Sequence, residues 1–184
     1  MADKVAGDAY DGRAGKDIET HGDISAAPLA WFARLCAQRR QMTAAMEDVA
    51  AAPDFVEPAY TVLVDWLKFG LFLHIRDCTD DLFPLLTSRA HKDDDFKAVM
   101  ATLAADHDFT KAHVRRLMPR LEALHLVREP ASSHGTVASG LRDLAHRERQ
   151  HVAVLTKVIL PIARLRLVKA DVETLSTNMA ARRQ

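Results

Sequence analysis

The sequence predicts an all-α fold, and three observations carry that prediction. Glycine and proline number only 7 each, aromatic residues make up 6%, and Ala, Leu, Arg and Met are abundant, a composition that favours helix. Long segments repeat apolar residues with the period of a helix, and the breaks between them are short and polar or contain proline. The first helix is expected to start near Pro28, a residue suited to a first turn, and to run to Pro53, with Leu29, Phe32, Cys36, Arg39 or Arg40, Thr43 and Met46 roughly on one face. The second spans about 57–86. Its interior WLKFGLFLHIRDC is apolar on most sides, as expected of a helix packed by two neighbours, and Pro84 sits near its end. The polar SRAHKDDD turn supplies aspartates to cap a third helix, about 94–126, with Met100, Leu103, His107, Thr110, Val114, Leu117 and Leu121 on one seam. REPASSHG breaks it. A fourth helix, about 136–165, aligns Leu141, Leu144, Glu148, His151, Leu155 and Val158, and Pro161 is expected to kink its last turns. A short fifth helix, about 169–182, closes the chain. Four long helices with short connections predict an antiparallel, up-down-up-down four-helix bundle with a short C-terminal fifth helix.

A chain of 184 residues with 48% hydrophobic residues suits one domain with a substantial core. Residues 1–24, rich in Gly, Asp, Lys and Ala without apolar period, are expected to be a flexible tail, and 25–184 the bundle domain. The 25 basic residues balance 25 acidic ones, which argues against a nucleic-acid partner. The longest apolar run, Val62 to Ile75, contains Asp65 and Lys68 and is shorter than the ~20 residues of a membrane span, so no membrane partner is expected. The opening MADKVAGDAY lacks the basic start and apolar stretch of a secretory signal, so a cytoplasmic location is expected. Two cysteines, Cys36 and Cys78, form no disulfide framework and read as thiols or metal ligands.

In helical bundles metals are held by inward side chains, and an i, i+4 pair presents two ligands on one face. His74 and Cys78 form such a pair on the second helix. His107 is mid-seam on the third helix, His151 on the fourth and Cys36 on the first. His74 stands roughly twelve residues before the end of its helix and His107 a similar distance after the start of the next, so at ~1.5 Å per residue the two reach one depth.

The segment HIRDCTDDLFPLL, His74 to Leu86, resembles the signature of the hemerythrin-like family, in which a histidine is followed four and five residues later by carboxylates and then by a Leu-Phe-Pro stop. PLAWFARLCAQRRQM resembles that family's first helix, LAADHDFTKAHVRRL its third and QHVAVLTKVILPIARLRL its fourth, so the likeness covers about 26–182. The resemblance implies the bundle fold and a non-haem metal site, because members bind two irons through histidines and carboxylates and carry, sense or handle oxygen, nitric oxide or iron. The departures matter equally. The family's first-helix histidine falls at Cys36, the carboxylates after His74 at Cys78 and Thr79, the partner of His107 at Lys111, and those of His151 at Leu155 and Thr156. Without bridging carboxylates an ordinary di-iron centre is not expected, and Lys111 would repel a cation further.

What remains is a candidate metal set of His74, His107, His151, Cys36 and Cys78, with Glu148 and Asp81 as additional carboxylates that could equally reach solvent. Ligand type favours zinc and the resemblance favours iron, if a metal is bound at all. The blander reading treats each histidine as a hydrogen-bonded core residue, each cysteine as a small hydrophobe, Trp31 and Trp66 as packing, and Met42, Met46 and Met100 as fillers. His21, His91, His113, His125, His134 and His146 read as solvated, and Arg39, Arg40, Arg115, Arg116, Arg147 and Arg149 as outer-face charges with helical partners such as Asp143 for Arg147. Two function classes stay open. One is a mononuclear or atypical metal sensor, or a protein handling a metal ion or a small diatomic or redox ligand. The other is a metal-free descendant acting as a regulatory or structural interaction protein, with association into a homo-oligomer open. An enzyme is the weakest option, because no nucleophile, base and orienting group stand together.

Overall fold

The computed structural model of the chain describes residues 27–91 and 96–184. The expected tail and the aspartates Asp93, Asp94 and Asp95 expected to cap the third helix lie outside the described residues. Those described are helical almost throughout, with no strand among them.

Helix α1 is Pro28–Ala51, with proline in its first turn, and it stops before Pro53 as Ala52 turns to φ −58°, ψ 126°. Helix α2 covers 57–88, α3 is Phe96–Val127, α4 covers 135–166 and α5 is Lys169–Ala181. A single 3-10 turn, Ala131–Ser133, bridges α3 and α4. The Tyr60 hydroxyl fastens this turn to α2 by accepting from the Ala131 N–H at 2.5 Å and donating to the Glu129 carbonyl at 3.2 Å.

Both α2 and α4 contain π-helical turns. Asp77–Leu82 lies just ahead of Pro84 and Leu155–Ile159 just ahead of Pro161. A proline inside a helix removes one N–H donor and sets its ring against the carbonyl four residues back. A π-turn directly precedes Pro161, the site of the expected kink. A third π-turn, Trp66–Gly70, has no proline behind it.

Packing is most extensive between α1 and α4, and α3 also lies on α4. The core divides into two apolar clusters. One takes Trp31, Phe32 and Leu35 from α1, Leu82, Phe83 and Leu86 from α2, Met100 and Leu103 from α3, and Leu155 and Ile159 from α4. The other takes Met42, Met46 and Val49, then Leu63, Leu67 and Leu71, then Val114 and Leu121, then Leu141 and Leu144 from the same four helices. Helix α5 adds Leu175 and Met179 to the first cluster. At the level where each long helix passes from one cluster to the other, its buried residues turn polar: Arg39 and Thr43, His74, His107 and Thr110, and Glu148 and His151.

Candidate functional site: a buried arginine among histidines

Arg39 controls this polar layer. Its side chain is only 1% exposed, and it forms an ion pair with Glu148, equally buried, through Nε at 2.8 Å and through Nη2 to the same oxygen. Thr110 donates its hydroxyl to the other Glu148 oxygen at 3.0 Å. One carboxylate thus ties α1, α3 and α4 together, with both its oxygens engaged. Arg39 is not an outer-face charge, and Glu148 does not reach solvent. The sequence places a charged residue on the seam of α1 and another on the seam of α4, but their pairing is a tertiary contact, and charged residues are buried when paired.

His74, His107 and His151 are all buried in this layer. The His107 and His151 rings approach to 4.4 Å between centroids, and Phe83 stacks on His107 at 5.7 Å with ring planes 4° apart. Phe32 meets His74 edge-on at 5.9 Å. Both ring nitrogens of His107 and of His151, together with Nδ1 of His74 and Nη1 of Arg39, have no hydrogen-bond partner among the described residues. Asp106 approaches His151, with Oδ2 at 3.7 Å from Nδ1. Burial holds all three imidazoles neutral, and the Arg39 charge adds to the effect at each. His107 falls to about 3, and His74 and His151 also lie well below the ordinary histidine range. His74 additionally feels His107 and His151.

The thiols are close by. Cys78 Sγ lies 3.5 Å from His74 Nε2, one helical turn away. Cys36 and Cys78 are fully buried free thiols within the apolar cluster beside the layer. Burial raises both thiol pKa values, Cys78 the more strongly, and Arg39 only partly opposes it. Such thiols are poor nucleophiles at neutral pH. Maleimide labelling at pH 7 is expected to leave both unmodified in the native protein and to modify both in denaturant. Rapid labelling of native protein would contradict that burial.

Arg39 therefore acts electrostatically on every residue of the expected ligand set: His74, His107, His151, Cys36 and Cys78. Asp81 belongs elsewhere. It accepts from Asn178 Nδ2 at 2.7 Å, in the last turn of α5, and pairs with Arg182 just beyond it. Asp77, which drew no attention in the sequence, is fully buried and pairs with Arg182 at 2.8 Å and with Arg183. Within this π-turn the neighbouring Asp77 and Cys78 are both buried, Asp77 against the arginines that follow α5 and Cys78 in the apolar cluster. Lys111 pairs with Asp108 at 2.7 Å and helps to depress His107, behind burial and Arg39. Leu155 is buried, and Thr156 spends its hydroxyl on the Val152 carbonyl at 2.7 Å.

Other histidines depart from expectation. His113 is half-buried with Nε2 2.9 Å from the Gly140 carbonyl, and His125 is half-buried against Phe55. His21 lies outside the described residues. Arg147 rests over the Phe109 ring at 3.6 Å rather than on Asp143. Trp31, Trp66, Met42, Met46 and Met100 pack in the core.

A divalent ion fits this layer poorly. Both Glu148 oxygens are taken, a guanidinium stands among the imidazoles, and no group of three or more His, Cys, Asp or Glu among the described residues is arranged to hold a metal. No known protein family, no curated protein and no solved structure matches the chain. No helix of the described residues is long and apolar enough to cross a membrane.

Proposed function

We propose that this chain is a metal-free descendant of the hemerythrin-like proteins, in which the Arg39–Glu148 pair stands where that family holds its metal ions, and that it works as a regulatory or structural interaction protein. The four long helices form an antiparallel, up-down-up-down bundle with α5 as a cap. Support for this topology comes from the alternation of the core. Helices α1 and α3 run from the cluster around Phe32 toward that around Met46, while α2 and α4 run back. The single observation carrying the functional reading is the buried Arg39 guanidinium, fixed on Glu148 and acting on each of the five expected ligands. A built-in cation supplies the positive charge that a bound ion would otherwise bring. Outward contacts are the remaining resource, and Phe69, Leu126 and Leu165 are large apolar side chains 65%, 85% and 85% exposed.

A second reading, a mononuclear zinc or iron site on His74, His107 and His151, is favoured by one observation: five of their ring nitrogens are buried without a hydrogen-bond partner among the described residues. Neutral imidazole is the form that ligates metal. Elemental analysis decides between the two. Protein purified without added metal is expected to contain less than ~0.1 equivalent of any transition metal, and Arg39→Met is expected to raise zinc affinity by at least ~10-fold by removing the internal cation. Stoichiometric zinc or iron in the wild type, lost in His107→Ala, would establish the metal reading instead.

A further inference from the structure

On the protein surface, α3 and the start of α4 border an open cleft of about 470 Å³ lined by Arg115, Arg116, Arg120, His113, Thr136 and Gly140. This size suits a small molecule. Its walls are built by two local features. Gly140 lets the helices close up, because a Cβ there would come within 3.1 Å of Leu117 Cδ1, and its carbonyl holds His113 Nε2 at 2.9 Å. Pro119 forms part of the border from within α3, and since it carries no N–H it cannot donate to the Arg115 carbonyl as a regular turn would.

The three arginines are all exposed, and none makes an ion pair, hydrogen bond or ring contact with a described residue. That sets them apart from most of the other charges. Lys68 is held by Glu122, Arg149 by Glu47, Arg89 by Asp171, and Arg182 and Arg183 by Asp77. Arg116 and Arg120 are one helical turn apart, a like-charge spacing that weakens a helix unless something anionic offsets it. Guanidinium groups present flat forks of N–H donors matched to phosphate oxygens, and the Thr136 hydroxyl adds a rotatable donor at the rim.

We infer that this cleft is a binding site for a small phosphate-bearing ligand, with Arg115, Arg116 and Arg120 as its anion-binding residues. A small ligand is favoured over a polyanion because the basic character is local: the whole chain balances 25 basic against 25 acidic residues, which leaves no net positive field to track a nucleic-acid backbone. The site is independent of the buried Arg39 layer, so it stands whichever reading of that layer holds.

The probe is inorganic pyrophosphate, titrated into the full chain at constant ionic strength with chloride as the balancing ion. Binding is followed by calorimetry and by amide NMR shifts. Saturable one-to-one binding is expected, with shifts confined to residues 113–120 and 136–140. Arg116→Gln/Arg120→Gln should weaken it at least tenfold, while Arg164→Gln, at an exposed arginine elsewhere, leaves it unchanged. Circular dichroism of each variant confirms that the helices persist. No saturable binding, or equal weakening by Arg164→Gln, overturns the proposal. Tighter binding of a 20-nucleotide single strand than of pyrophosphate through the same arginines would also overturn it, in favour of a nucleic-acid surface.

Discussion

Replacing Glu148 by glutamine is expected to destabilise the protein by about 3–5 kcal/mol, because it leaves the Arg39 charge buried without a counter-charge. In a chain of this size that corresponds to a melting temperature lower by roughly 6–20 °C. The wild-type pair need not be a net gain over an apolar pair. Desolvation of both ions opposes their attraction, and buried pairs replaced together by apolar residues are often neutral or stabilising. Arg39→Met combined with Glu148→Leu is therefore expected to recover most of the loss, with Thr110 free to turn its hydroxyl to a carbonyl of its own helix. Chemical denaturation of the two single variants and the double variant measures the coupling directly. A loss below ~1 kcal/mol for Glu148→Gln would mean that water reaches the guanidinium, and the internal-cation reading would fail with it.

Acid is expected to unfold the protein steeply below about pH 5, with unfolding complete by about pH 3. The folded state holds His74, His107 and His151 neutral. His107 drops to about 3 against an ordinary value of 6.5, from burial and then from Arg39. A histidine whose pKa is depressed by folding binds its proton in the unfolded chain first, so its contribution to stability is complete above about 6.5 and declines as pH falls below that value. Each such group costs about 1.4 kcal/mol per pH unit in this window, so three together cost about 4. A total stability of about 5–15 kcal/mol would be consumed within a few pH units. Asp77 works in the opposite sense. Burial raises its carboxyl pKa despite Arg183 and Arg182, so the folded protein takes up that proton first and the slope softens near and above pH 4. Urea melts between pH 5 and 7 should show an uptake approaching three protons on unfolding, reduced by about one in His107→Gln. An uptake under one proton, or a native far-ultraviolet spectrum at pH 3, would show that the imidazoles are solvated.

Much of the fold was legible because helix periodicity and proline placement are local properties of the chain. Pro28 and Pro53 bracket α1 within two residues of the structural ends, and the seam residues expected for α3, from Met100 to Leu121, are buried there. The π-turns were not legible. Pro84 and Pro161 announce a disturbance, but whether a helix kinks, stops or widens by one residue depends on what packs around it. In α2 the widened turn carries Asp77, paired with Arg183, directly beside Cys78, which lies in the apolar cluster.

For the polar layer the division is sharper. The sequence by itself determined which helix carries each of His74, His107, His151, Arg39 and Glu148, and that the histidines fall on apolar seams, because a period of 3.6 residues assigns a face without reference to any neighbour. Only the tertiary structure decided that Arg39 turns inward. A long charged side chain on a helix edge can extend to water or fold into the core, and no local pattern distinguishes these outcomes. The choice was made by Glu148 and Thr110, more than seventy residues distant along the chain, whose carboxylate and hydroxyl are the groups that make burial of a guanidinium affordable. That same choice commits both oxygens of Glu148, one of the two carboxylates considered as metal ligands, to Arg39 and Thr110.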